Sequence, residues 1–366
     1  MMSARFLTVV LERAFNMRDG FGREIDYMRI SVIDSCNLNC YYCNPCDNNE
    51  HCHALNILSV KEVLCIVRAA TRLGIKHFRL TGGEPLLHPQ LDEMVLQIKK
   101  IPGVSSVSLT TNAVLLAQHA KWLKEAGIDS INVSLDTIDA SEYERITKKP
   151  LLEEVKHGIN AAIECGIRVK INVVLTPQTD VVALTRYVAK KGTDIRFIEM
   201  MPVGEGHTNG VEPYKKVIGT LSKLYGEPCR INTEKTKEIN SGNDKRKIPD
   251  NGPAEYYIFP ELGIRVGLIQ AIHGKFCDTC NRIRVTADGR LMPCLGSSVT
   301  MDLVPDSWDF ADDVEKDFAI VRALRAAIKA KPRCHNFNDN AVTYTKTTET
   351  KTTEIEAAEV NAARNM

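Results

Sequence analysis

The chain has 366 residues, a quarter of them charged, and a formal net charge of +1, so bulk charge gives no sign of a nucleic-acid or membrane-surface partner. No apolar run approaches the roughly 20 residues a bilayer-spanning helix needs. Glu12 and Arg13 interrupt the one apolar patch of the N-terminal segment, and the expectation is a cytoplasmic protein.

From residue 28 to 202, short runs rich in Val and Ile alternate with stretches of helical spacing. Strands are expected at 28–34, 77–82, 106–112, 130–136, 168–176 and 194–202. Between them the spacing predicts helices over Leu58–Leu73, Leu91–Lys100, Ala117–Ala126, Leu151–Cys165 and Val181–Lys191. Ser59 followed by Glu62 reads as a capping box, and Gly74, Gly127 and Gly166 stand where a left-handed C-cap suits a residue without Cβ. Repeated strand–helix units imply a parallel sheet with right-handed crossovers. Six units are too few for a closed eight-stranded barrel, so the expected α/β fold is a partial (β/α)6 TIM-like barrel.

After Pro202 the alternation fades. Residues 203–300 are Gly-rich and polar, and a further helix is expected near 313–330. The resulting domain plan is an N-terminal segment (1–26), a barrel (27–225), a C-terminal region (226–337) and a polar, aromatic-poor tail (338–366) expected to be disordered or weakly helical.

Twelve cysteines are many for a reducing compartment, where grouped cysteines argue for metal ligation over disulfides. Six form two tight groups. Cys36, Cys40 and Cys43 make a CxxxCxxC arrangement directly after the first strand. Three thiolates on one loop suit a 4Fe–4S cluster with one iron left open for another ligand. A structural zinc site completed by Cys46, Cys52, His51 or His53 is the alternative.

The triad, with an aromatic before its last cysteine, resembles the radical S-adenosylmethionine (SAM) superfamily. That resemblance implies that SAM chelates the open iron and is cleaved to methionine and a 5′-deoxyadenosyl radical. Tyr42 matches the position whose backbone meets the adenine. Thr81-Gly82-Gly83-Glu84-Pro85 matches the superfamily's GGEP motif, in which Gly82 and Gly83 let the backbone approach the methionine moiety and Glu84 takes its ammonium. Ser134 and Met201 match further SAM-contacting positions.

Cys277, Cys280 and Cys294 form the second group, CxxC–x13–C. A zinc knuckle with His273 or Cys334 as fourth arm is its bland reading. The segment Cys280-Asn281-Arg282-Ile283-Arg284-Val285 resembles the molybdenum cofactor biosynthesis protein A (GTP 3′,8-cyclase) family, and matching motifs run from about residue 18 to 335. The resemblance implies a second 4Fe–4S cluster on these three cysteines, carried by the C-terminal extension, with its free iron on the guanine of GTP. It implies hydrogen abstraction from C3′ of the ribose, attack on C8, and release of 3′,8-cyclo-7,8-dihydro-GTP. Arg29, Arg79, Thr110, Lys170, Arg282 and Arg284 match the family's GTP-binding positions. Strand-borne cations also serve ordinary ion pairs, which leaves Arg79 and Lys170 open on residue type alone. Arg282 and Arg284, at alternate positions beside a cluster ligand, point to one side of an extended chain.

The partners implied are GTP, an external electron donor and a downstream pyranopterin-forming enzyme, with a homodimer as a candidate assembly. The chain ends in Ala-Ala-Arg-Asn-Met where the family carries Gly-Gly. A second reading therefore keeps the radical chemistry and the auxiliary cluster but directs them at a peptide or a cofactor precursor.

Overall fold

The computed structural model describes residues 17–43, 56–203, 206–207, 210–231, 252–297, 299–303, 313–335 and 337. Strands and helices alternate as β1 (Tyr27–Ser31), α1 (Val60–Arg72), β2 (His77–Thr81), α2 (Leu91–Lys99), β3 (Ser106–Thr111), α3 (Leu116–Glu125), β4 (Ser130–Ser134), α4 (Ala140–Thr147), α5 (Leu152–Glu164), β5 (Val169–Val174), α6 (Val181–Lys190) and β6 (Asp194–Ile198). The six strands pair in parallel and in sequence order. All six expected strands are present, trimmed at their ends. The capping box on α1 forms as expected: the Ser59 hydroxyl accepts from Glu62 N, and the Glu62 carboxylate accepts from Ser59 N. Gly74, Gly127 and Gly166 have φ of +84°, +88° and +69°.

The region after Pro202 is more regular than its composition suggests. It carries α7 (Gly219–Tyr225), β7 (Cys229–Ile231), β8 (Glu255–Ile258), β9 (Arg265–Ile269), β10 (Arg282–Val285), β11 (Arg290–Met292), β12 (Met301–Asp302) and α8 (Asp313–Lys329). Two of these strands extend the parallel sheet. β9 adds alongside β6 and β10 alongside β1. The parallel run is therefore β10-β1-β2-β3-β4-β5-β6-β9, flanked by antiparallel β11 and β12 on one side and β8 and β7 on the other. The sheet is mixed and does not close.

Period-two alternation sorts the side chains of the parallel strands. Met28, Ile30, Phe78, Leu80, Val107, Leu109, Ile131, Val133, Ile171, Val173, Ile195 and Phe197 are fully buried beneath the helices. The intervening positions face the lumen and are mostly polar or charged: Tyr27 and Arg29, His77 and Arg79, Ser106, Ser108 and Thr110, Ser130 and Asn132, Lys170 and Asn172. A parallel strand buried on both faces reads as a continuous apolar run. These strands do not, so the lumen is a polar site and not a second core.

The expected tail, together with Cys46, Cys52, His51 and His53, lies outside the described residues.

Candidate active site

The first cysteine loop leaves the C-terminal end of β1 and is held by the loop after β2. Gly83 N donates to Ile33 O and Glu84 N to Ser35 O, both at 2.8 Å, prolonging the β1–β2 pairing past the strand ends. A Cβ on Gly82 would stand 2.3 Å from Ile33 O, and one on Gly83 would stand 2.1 Å from Ser35 O. The two glycines are thus required by the cysteine loop itself, a reason independent of any bound cofactor. Glu84 is 1% exposed and accepts from Leu86 N (3.0 Å), the Thr111 hydroxyl (2.7 Å) and Asn112 N (2.7 Å). Burial raises its carboxyl to about 7 against these hydrogen bonds. Asn112 Nδ2 in turn lies 2.7 Å from Asn37 Oδ1 and 3.8 Å from Cys36 Sγ. The motif therefore welds the ends of β1, β2 and β3 around the cysteines.

On the far side of the loop the Tyr42 hydroxyl donates to the Asp136 carboxylate, just past the end of β4. Asp136 Oδ1 also accepts from Val174 N at 2.7 Å, tying the end of β5 to the same loop. Burial pushes Asp136 up to about 6 and Tyr42 further above its usual range. Ser134, at the end of β4, is exposed, and Met201 lines the lumen. Cys36 and Cys43 keep exposed surface and Cys40 is half-buried, and partial loss of solvent around the sulphurs pushes all three thiols of this group up.

The second group sits at the other end of the lumen. Cys36 follows β1, whereas Cys280 comes just before β10, and these two strands run parallel in the register Tyr27↔Arg282 to Ile30↔Val285. The two groups therefore occupy opposite ends of one strand pair. Cys277, Cys280 and Cys294 all line the lumen. The connection from β9 to β10 passes from one end to the other and is pinned at Glu199, which accepts from Ile272 N (2.7 Å), His273 N (3.1 Å) and the His273 ring. Burial raises the Cys280 thiol, but Arg282 and Lys331 outweigh it and bring it down to about 7.

Among the described residues, no three His, Cys, Asp or Glu side chains are drawn together for a single ion. His273 is engaged by Glu199, and Cys334 is exposed. Donors are aimed at the sulphurs instead: Leu38 N at 3.5 Å from Cys36 Sγ and Arg282 Nη2 at 3.7 Å from Cys280 Sγ. Three cysteines per group, with an N–H directed at one sulphur of each, form a donor set that fits an iron–sulfur cluster.

Between the two ends the lumen is cationic. Arg29, Arg79, Lys170, Arg196, Arg282, Arg284 and Lys331 line it, and no Asp or Glu does so among the described residues. Arg29 pairs in register with Arg79 on one side and Arg284 on the other. Burial, Arg284 and Arg79 together push the Arg29 guanidinium well below its usual value. Buried like charges repel strongly, and a bound polyanion relieves that repulsion. The Nε atoms of Arg29 and Arg79 and the hydroxyl of Thr110 are buried without a protein partner.

All six expected cationic and hydroxyl positions thus meet in one cavity. The sequence assigns no site role to Arg196, whose Nε donates to Asn172 Oδ1 at 2.9 Å, nor to Asn112, Asp136 and Lys331. All of these but Lys331 lie within the expected strand ranges 106–112, 130–136 and 194–202, where inward alternation or the strand end is the available signal.

A family model described as the radical SAM superfamily matches residues 30–183, and one described as Molybdenum Cofactor Synthesis C matches residues 193–337. The "GTP 3′,8-cyclase" of Clostridium perfringens (strain SM101 / Type A) is 35% identical over 324 residues, covering 88% of this chain and 95% of its own length. The chain belongs to the GTP 3′,8-cyclase family of the radical SAM superfamily. A family member from Peptoclostridium acidaminophilum is 37% identical over 328 residues, covering 88% of this chain and 94% of its own. Streptococcus suis SuiB, solved bound to S-adenosylmethionine, superposes with a TM-score of 0.53 at 15% identity. It covers 82% of this chain, which spans 64% of SuiB, and the likeness shows the fold. As a radical SAM family member the protein is an enzyme that uses SAM and an iron–sulfur cluster. The first family match ends inside α6 and the second begins just before β6, yet the sheet runs across that boundary, so both regions build one lumen.

Proposed function

We propose that this protein is a GTP 3′,8-cyclase, a lyase that converts GTP to 3′,8-cyclo-7,8-dihydro-GTP on the way to the molybdenum cofactor. The observation that carries the reading is the lumen between the cysteine groups: seven cations line it, and no carboxylate does among the described residues. A triphosphate is the kind of ligand that such a cavity favours, because guanidinium groups give paired contacts to phosphate oxygens. Arg29, Arg79, Lys170, Arg282 and Arg284 would hold it, with Thr110 donating from β3.

At the β1 end, Cys36, Cys40 and Cys43 would hold the cluster that, with SAM bound, supplies the radical. Gly82, Gly83 and Glu84 set the position of that loop. The Tyr42 backbone, Ser134 and Met201 would contact SAM. At the opposite end, Cys277, Cys280 and Cys294 would hold a second 4Fe–4S cluster facing the guanine. The lumen walls keep bulk water from a reactive centre between these ends.

Incubating the reconstituted protein anaerobically with GTP, SAM and dithionite, followed by LC–MS, tests this. The expected result is a cyclised product that retains the triphosphate, formed together with deoxyadenosine. Deoxyadenosine without GTP consumption would instead direct the radical to another substrate.

A further inference from the structure

The two cysteine groups are braced by different means. The first is fixed by strand-end hydrogen bonds, as described above. The second is fixed by two buried cations. Arg23, 8% exposed and paired with Asp19, donates to Cys277 O at 2.7 Å, Pro332 O at 2.6 Å and Arg333 O at 2.9 Å. Lys331, 4% exposed, donates from Nζ to Arg282 O at 2.8 Å and to Pro293 O at 2.9 Å.

Arg282 lies two residues after Cys280, and Pro293 immediately before Cys294. One ammonium therefore bridges two segments whose cysteines are separated by 13 residues. Arg23 has a carboxylate partner. Among the described residues Lys331 has none: its two acceptors are neutral carbonyls. A buried charge without a counter-charge is expensive. An ammonium has three protons; two go to these carbonyls, and the group lines the lumen alongside all three cysteines. What would compensate the charge is an anionic centre held by those cysteines.

We propose that Lys331 is a positioning residue for the second cluster, setting the spacing of Cys280 and Cys294 and supplying the buried positive charge that favours the cluster's reduced, more negative state. This rests on the two-cluster reading above. Hydrogen bonds and charge near the sulphurs set a cluster's potential, so removing the ammonium should make the second cluster harder to reduce or, if spacing dominates, release its iron. Neither effect should reach the first cluster, at the other end of β1.

The test is an iron determination and an EPR-monitored redox titration on the full-length, anaerobically reconstituted protein, wild type against Lys331→Met and Lys331→Arg. Wild type should hold about eight irons per chain. If it holds only about four, the two-cluster reading falls before any variant is compared. With two clusters in wild type, Lys331→Met should shift the second-cluster midpoint to more negative potential, or lose that cluster alone. The first-cluster signal should stay unchanged, and Lys331→Arg, which keeps the charge, should lie closer to wild type. An unchanged second-cluster midpoint and iron content in Lys331→Met overturns the proposal, and so does an equal loss of both clusters.

Discussion

A Cβ on Gly83 would stand 2.1 Å from the carbonyl oxygen of Ser35, with Asp34 O at 2.4 Å. Both obstacles are backbone, so no rotamer change relieves them. Gly83→Ala must push the β2 loop away from the segment that leads into Cys36. The expected outcome is loss of the first cluster with retention of the second, read as iron falling from about eight to about four per chain and no deoxyadenosine formed from SAM.

The opposite placement of the two cysteine groups predicts a split between their variants. Cys40→Ala should abolish SAM cleavage altogether. Cys280→Ala should still cleave SAM in the presence of dithionite but form no cyclised nucleotide. Measuring deoxyadenosine and nucleotide product in the same reactions checks both, and normal deoxyadenosine yield from Cys40→Ala would contradict the assignment of the first cluster.

Arg29 and Arg284 are in register on β1 and β10 and face the same cavity. Each charged hydrogen bond lost on substitution costs about 1.5–3 kcal/mol, so Arg29→Ala or Arg284→Ala should weaken GTP binding roughly ten- to a hundredfold. SAM affinity should be unaffected. Calorimetry with each ligand separates the two, and unchanged GTP affinity would count against a triphosphate in this lumen.

Glu84 carries a pH signature. Burial raises its carboxyl from the ordinary 4.5 to about 7, so the folded chain holds this proton more tightly than the unfolded chain does. The associated stability is fully present below about pH 4.5 and is lost as pH rises through about 7. At roughly 1.4 kcal/mol per pH unit of difference, the change is about 3 kcal/mol at most. Glu84→Gln removes it: chemical denaturation of the apo-protein at stepped pH should show wild type losing stability relative to the variant across that window. A difference that does not vary with pH would mean that folding leaves the Glu84 carboxyl where it stands in the unfolded chain.

Much of the barrel was legible because its signals are local. Each β-rich run from Met28 to Ile198 carries its own alternation, and α1 carries its own start signal in Ser59 and Glu62. α4 is absent from the expected elements, although Asp139 caps it by accepting from Glu142 N at 2.8 Å, because between β4 and β5 the spacing predicts a helix only over Leu151–Cys165 and assigns none to residues 137–150. β7 through β12 were missed for a different reason. They are two to five residues long and stand outside the regular strand–helix alternation that marks the barrel, and they exist because neighbouring strands offer them partners.

The residues of the site were legible on their own account: two cysteine triads, a glycine pair before Glu84, and arginines at alternate positions beside Cys280 each announce a chemistry through type and spacing. Their arrangement was not. Tyr27 and Arg282 are far apart in the chain and adjacent in the sheet, and only that pairing sets one triad at each end of a shared strand pair with the cations between. Lys331 shows the same limit, since a lysine before a proline carries no signal of burial or of the two carbonyls it joins. Spacing along a chain reports what a segment can ligate or pair with locally, whereas the meeting of distant segments is decided by the burial and hydrogen bonding gained when the whole sheet assembles.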